Sequence, residues 1–135
     1  MKRWCYILCI SVICGFFFNS CANRELKAYR IGVSQCSDDE WRHKMNTEML
    51  REALFYNGLE VEIRTAKDNN QTQIADIQYF IDNQVDLLIV APNEAAAITP
   101  AVEKAFETGI PVIMVDRKIQ SDKYTAFIGA DNYKI

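Results

Sequence analysis

The stretch Gly109-Ile110-Pro111-Val112-Ile113-Met114-Val115-Asp116-Arg117 stays apolar until it stops at an acid and a guanidinium. Strict alternation would mark a strand with one wet face. An unbroken apolar run suits a strand buried on both faces, as in the middle of a parallel sheet. Asp116 and Arg117 then fall at the carboxyl end of that strand. In open α/β sheets this end lines the crevice where ligands bind, so one stretch bears on both fold and site.

The residues before it repeat the pattern. Tyr29-Arg30-Ile31-Gly32-Val33-Ser34 reads as a first strand, leaving through the polar loop Gln35-Cys36-Ser37-Asp38-Asp39. Ser37 and the two aspartates suit a helix start, because their oxygens accept free amide protons and their charge opposes the macrodipole. The spacing predicts a helix to about Asn57, with Trp41, Met45, Met49, Ala53 and Leu54 on one apolar face and Asn57-Gly58 as its stop. From Leu59 to Thr65, Val61 and Ile63 alternate with Glu60, Glu62 and Arg64, which predicts a strand at a sheet edge. Lys67-Asp68-Asn69-Asn70 opens a second helix carrying Ile74, Ile77, Phe80 and Ile81 on one side. Val85 to Val90 is again apolar apart from Asp86 near its start, predicting a central strand that exits through Ala91-Pro92-Asn93. A third helix follows, with Pro100 in its first turns and Ala101, Val102, Ala105 and Phe106 facing inward. Tyr124 to Gly129 forms a fifth strand, and Ala130-Asp131-Asn132 reads as another helix cap. Strands alternating with helices over short connections predict an α/β fold, a doubly wound parallel sheet.

Composition narrows the function. The chain has 135 residues, 50% hydrophobic and 24% charged, enough for a globular core. A formal charge of -3 and the lack of a basic cluster exclude nucleic acid as a partner. The first strand is followed by no Gly-x-Gly-x-x-Gly fingerprint, and no phosphate loop occurs, so no nucleotide cofactor is implied. No His/Asp/Glu metal cluster and no nucleophile with a base partner stand out, so the reading is of a protein that is not an enzyme.

Residues 1–21 read as a signal peptide. Lys2 and Arg3 precede an apolar stretch from Trp4 to Phe18, shorter than the roughly 20 residues of a membrane span. Ser20-Cys21 resembles a lipoprotein cleavage site, with Cys21 as the lipidated residue; ordinary cleavage nearby and an uncleaved signal anchor are the alternatives. Each places the remainder outside the cytoplasm, in the periplasm, with the membrane reached through lipid or anchor. Residues 22–28 form a linker, and 29–135 the folded part. Cys5, Cys9, Cys14 and Cys21 all lie in the leader, leaving Cys36 alone, so no intrachain disulfide framework can be drawn.

The strand exits collect a polar set with one large aromatic: Gln35, Ser37, Asp38 and Trp41 after the first strand, with Glu40 as a further candidate, Asn93 after the third, Asp116 and Arg117 after the fourth, Asp131 and Asn132 after the fifth. Carboxylates accept hydroxyl protons, a guanidinium donates in a planar fork, amides do both, and an indole covers a ring's C–H face. A neutral polyhydroxylated ligand, such as a sugar, makes these demands together. Plainer uses compete: Trp41 as core beside Met45, Asp116 and Arg117 as a turn acid and a surface cation, and Asp38, Asp131 and Asn132 as helix caps. His43, between Arg42 and Lys44, reads as solvated.

In order along the chain, Ile31-Gly32-Val33-Ser34, the acid-Trp stretch opening the first helix, Asn57-Gly58, Asp68-Asn69-Asn70-Gln71, Asp86 to Asn93, Gly109 to Arg117 and Ile128 to Asn132 resemble the amino-terminal lobe of type I periplasmic binding proteins, the ribose-binding group above all. The resemblance runs from Tyr29 to Ile135. It implies a monosaccharide held between two lobes, with Asp116 and Arg117 on ring hydroxyls, Asp38 at an Asn ligand's position and Trp41 at a stacking Phe's. Glu40 stands where a first aromatic is usual and Asp39 where a Pro is usual, so the pattern does not specify ribose. Family members are about twice as long, which makes this chain an incomplete lobe. The output implied is delivery to an ABC importer's permease, or sugar sensing for a membrane-bound hybrid histidine kinase. The effector domain of lactose-repressor-type transcription factors is a distant alternative, standing here without a DNA-binding headpiece.

Overall fold

A strand–helix–strand crossover between parallel strands is almost always right-handed, so the side on which the next strand joins decides which face its helix covers. The computed structural model describes residues 27–130. Its elements are β1 (Tyr29–Gln35), α1 (Glu40–Ala53), β2 (Leu59–Thr65), α2 (Asn70–Asp82), β3 (Leu87–Val90), α3 (Ala95–Glu107), β4 (Val112–Val115) and β5 (Ala126–Ile128). The sheet order is β2-β1-β3-β4-β5, with every pairing parallel. The chain steps to one side from β1 to β2, then back past β1 to β3, so α1 lies on one face and α2 and α3 lie on the other. This is the expected doubly wound sheet, with the alternating strand β2 at one edge. The leader, Cys21, Asp131 and Asn132 lie outside the described residues.

The main core is the layer between the sheet and the α2/α3 pair. Ile77 and Phe80 from α2 and Ile98, Val102 and Ala105 from α3 meet Leu88 and Val90 of β3 and Val112 and Met114 of β4, all fully buried. Gly32 lets this layer close over β1, since a Cβ there would sit 2.6 Å from the Phe80 ring. Side chains alternate across a strand, so Ile113 and Val115 of β4 turn to the opposite face, where they are only half-buried. The fourth strand is therefore sealed on one side among the described residues, against the expectation of two. Alongside α1 that second face opens as an apolar groove of about 370 Å³, with Ile31, Val61 and Ile89 of the sheet across from Met49 and Ala53.

Four sequence expectations change. Helix α1 ends at Ala53, and Leu54, Phe55 and Tyr56 form an exposed turn before Gly58, whose φ of 79° suits glycine. Its inner face is also rotated from the predicted one: Trp41 is 60% and Leu54 84% exposed, while Arg42 is 4% exposed. A distant acid partner, described below, draws the guanidinium inward, and hydrophobicity alone does not show that. Pro100 is the sixth residue of α3, past the free-amide turn, so it removes a helix hydrogen bond. Close by, the Thr99 hydroxyl donates to the Ala95 carbonyl at 2.7 Å. Phe106, expected inward, is 38% exposed, and Ile98 takes the core place.

Candidate ligand-binding site

β1 lies between β2 and β3, and the chain leaves β1 towards one side and β3 towards the other. Loops diverge at such a switch point and leave a crevice outside the carboxyl ends. The crevice here is an open cleft of about 360 Å³ walled by Ser37, Asp38, Lys67, Asp68, Asn93 and Arg117, with Cys36 and Asp39 behind. Four strand exits meet there.

The β1 exit is fixed by a cap. Asp39 Oδ1 accepts the Arg42 backbone N–H at 2.8 Å, and the Ser37 hydroxyl donates to Asp39 Oδ2 at 2.6 Å. The Ser37 hydrogen bond first, then the Arg42 amide, hold the Asp39 carboxyl below the usual carboxylate range. Because Asp39 is the cap, Asp38 is free of that duty. Its carboxylate lies in the cleft wall, 3.2 Å from His43 Nε2 and 3.9 Å from Lys67 Nζ. His43 itself is exposed, as expected.

The β3 exit is held from below by Gln73 of α2, which is fully buried. Its Nε2 donates to the Ala91 carbonyl at 2.8 Å, and its Oε1 accepts the Asn93 N–H at 2.9 Å. Asn93 Nδ2 donates to Asn70 Oδ1 at 2.8 Å and to the Asp68 carbonyl at 3.2 Å. Both amide protons of Asn93 are thus engaged, and Oδ1 is the atom it offers to a ligand. Arg117 Nη1 donates to the Asn93 carbonyl at 2.9 Å, tying the β4 exit to the β3 exit.

Asp116 is left-handed at φ 70°, a conformation that a non-glycine residue holds only at a cost of about 1–3 kcal/mol and that concentrates at functional sites. Its Oδ2 accepts from Arg42 Nη2 at 2.6 Å and lies 3.8 Å from Arg117 Nε. Lys67 and Asp68 are left-handed too, at φ 51° and 61°. These two wall residues were missed in the sequence, where Lys67-Asp68 reads only as the opening of a helix. The signal was available: they are the exit of the second strand, in the same position as the exits that were collected.

The remaining candidates separate. Trp41, in the first turn of α1, is exposed, with the Arg42 guanidinium 4.6 Å from its ring centroid, so its use as core falls away. Glu40, the first residue of α1, is exposed. Gln35 is fully buried and donates to Asn46 Oδ1 at 2.6 Å, which places it beneath the cleft and not on its surface. Among the described residues no three His, Cys, Asp or Glu side chains converge as a metal site.

Residues 31–135 match the family described as periplasmic binding protein domain. The chain belongs to that family. It is 34% identical over 77 residues to the ribose import binding protein of Bacillus subtilis, a stretch covering 57% of this chain and 25% of that protein. Among solved structures it is similar to the fructose-binding periplasmic domain of a hybrid two-component system, at 68% identity and a TM-score of 0.77 over 78% of this chain and 35% of that one. An ABC transporter solute-binding protein from Bacillus halodurans, solved with bound myo-inositol, aligns at 31% identity and a TM-score of 0.73, over 78% and 37% of the two chains. The chain thus spans between a quarter and just over a third of the length of these relatives. As a periplasmic binding protein domain, its cleft falls at the switch point where an open α/β sheet takes a ligand.

Proposed function

We propose that the cleft is one wall of a monosaccharide site, completed by a second lobe, in a protein that binds its sugar without transforming it. The observation that carries this reading is the meeting of four strand exits at a switch point, where Asp38, Asn93 and Arg117 line one cleft and Asp116 follows the same β4 exit, 3.8 Å from Arg117; the exposed Trp41 of the first turn of α1 is assigned to the same set. A sugar ring needs acceptors and donors for its hydroxyls and a flat apolar surface for its C–H face. Asp131 and Asn132 belong to the same proposed set through the β5 exit.

A ligand that touches both lobes favours the closed arrangement, and a partner reads that population. Two outputs fit: delivery to the permease of an ABC importer, and signalling to a histidine kinase. The 68% identity to the fructose-binding domain of a hybrid two-component system supports the sensor and makes D-fructose the first ligand to test. Export to the periplasm, by a leader ending near Cys21 with lipid or a signal anchor holding the chain to the membrane, belongs to the same reading.

The test is calorimetric titration of the full-length protein with D-fructose, D-ribose, D-xylose and myo-inositol. Saturable binding of one of these without turnover supports the reading, and Asp116→Ala or Arg117→Ala then weakens it by about 1.5 kcal/mol or more, the scale of a charge-assisted hydrogen bond. Unchanged affinity in both variants would return the pair to surface charges.

A further inference from the structure

The end of the sheet away from the cleft carries a group of exposed apolar side chains. All strands run parallel, so each helix brings the chain back from the carboxyl ends to the amino ends, and the last turn of α1 lies there. At this end Leu50, Leu54, Phe55 and Tyr56 are exposed, Phe55 by 76%. Leu50 and Leu54 stand four residues apart, on one face of the helix end. The exposed Tyr29 opens β1 beside them. Its N–H donates to the Gly58 carbonyl at 2.6 Å, and its partner in register, Leu59, donates to the Tyr56 carbonyl at 3.3 Å. Phe106, near the end of α3, is exposed at the same end on the other face of the sheet.

Turns are ordinarily built from Gly, Pro, Asn, Asp and Ser, and Asn57-Gly58 already supplies that chemistry here. The apolar run before it adds nothing to the core, because α1 has ended at Ala53 and the three side chains point to solvent. Contiguous exposed apolar surface marks an interaction site. Its charge narrows the partner: Arg51 is paired with Glu48, and Glu52 and Glu60 alongside are exposed acids, so the patch offers apolar contact without attraction for anionic groups.

The chain before β1 indicates what the patch meets. The apolar stretch Trp4 to Phe18 and Cys21 precede Tyr29 by a linker, residues 22–28, that reaches at most about 25 Å when fully extended. Its end is drawn onto the same part of the body, with Lys27 Nζ 3.0 Å from Asp86 Oδ1 just before β3. An attached chain meets its bilayer at a high local concentration, whereas a protein partner must be met by diffusion. Tyrosine and phenylalanine suit that boundary, with rings toward the acyl chains and hydroxyls among the headgroups.

We propose that the patch of Leu50, Leu54, Phe55, Tyr56 and Tyr29 rests in the headgroup layer of the bilayer to which the chain is attached, so that the cleft at the opposite end faces away from the membrane. The inference rests on the reading above that lipid or a signal anchor holds the chain to the membrane. One apolar turn binds a bilayer only weakly by itself, and the attachment makes that contact effective.

The experiment uses the full-length protein, extracted from membranes and placed one copy per disc in phosphatidylcholine nanodiscs, with or without bromine high on the acyl chains. Phe55→Trp adds a fluorescent reporter in the patch, and Ile128→Trp adds one at the cleft end, where Ile128 is exposed. The quantity read is the emission that each variant adds to the parent's. For Phe55→Trp it is expected to shift to shorter wavelength and to fall about twofold or more on bromination, and for Ile128→Trp to do neither. Exchanging part of the lipid for anionic phosphatidylglycerol should leave the quenching unchanged. Unquenched Phe55→Trp overturns the proposal, and so does quenching of both reporters alike or quenching that needs the anionic lipid. A second copy covering the patch would show as a shifted but unquenched reporter in discs holding two copies, which also overturns it. Parent protein that does not enter the discs overturns the membrane attachment and this proposal together, whereas entry with an unquenched reporter overturns this proposal alone.

Discussion

Gln73→Leu tests the link between the core and the site. Gln73 is fully buried, and leucine fills a similar volume, so the change isolates polar contacts with little cavity. It removes the donor to the Ala91 carbonyl at 2.8 Å and to Ser34 Oγ at 3.3 Å, and the acceptor for the Asn93 N–H at 2.9 Å. Each backbone group orphaned in the interior costs about 1–3 kcal/mol. The Asn93 amide is only partly buried and falls at the low end, while the added apolar surface returns about 1 kcal/mol. The net is about 2 kcal/mol of lost stability, read as a lower urea midpoint at unchanged m-value in the full-length protein. Gln73→Glu keeps an acceptor for Asn93 but sets an oxygen against the Ala91 carbonyl, so it should destabilise at least as much. Sugar affinity should fall in both, because Asn93 anchors Arg117. A loss below about 0.5 kcal/mol for Gln73→Leu would refute the account of Gln73 as the support beneath the β1 and β3 exits.

Two further outcomes follow from packing and charge. Gly32→Ala would place a methyl 2.6 to 3.0 Å from three atoms of the fully buried Phe80 ring, which should cost about 2–3 kcal/mol in thermal unfolding, and Phe80→Leu in the same chain should recover part of it. Acid should weaken the fold through Asp39, Glu48 and Asp86, whose carboxyls are lowered chiefly by the Ser37 hydroxyl, the Lys44 ammonium and the Arg30 backbone amide. A lowered folded value means stability that is complete above the ordinary carboxylate range near about pH 4 and lost as pH falls through the lowered values. The gap in stability between the parent and Ser37→Ala should therefore be widest near neutral pH and narrow on acidification; a gap independent of pH would contradict the assignment.

Much of the fold is legible because strand burial is written locally. The unbroken apolar runs at Leu87 to Val90 and Val112 to Val115 became inner strands, and the alternation at Leu59 to Thr65 became an edge. The exits that carry Asp38, Asn93 and Arg117 were legible too, since their place follows from the strands before them. What local pattern does not encode is partnership across the chain. Arg42 is buried because Asp116 lies opposite it, and with Arg42 inward Trp41 is displaced outward, while Met49 and Ala53 of the predicted face stay toward the sheet. The cap went to Asp39 and not Asp38 through a two-residue contact with Ser37, a choice that composition leaves open. Half-burial of Ile113 and Val115 depends on what covers the second face, which no property of the strand itself determines.

The place of β1 in the sheet has a consequence for how the protein is made. The first strand among the described residues ends up inside the sheet, between β2 and β3, and its amide at Arg30 finds the Asp86 carboxylate 56 residues later. Pairings this distant in sequence form slowly, because the intervening chain must be closed before the contact gives anything back. As the chain emerges from a ribosome or a membrane channel, β1 can gain one neighbour when β2 arrives, yet its other edge stays open until Leu87–Val90 is free. The same topology that gathers four strand exits into one cleft thus postpones completion of the sheet until β3 is made.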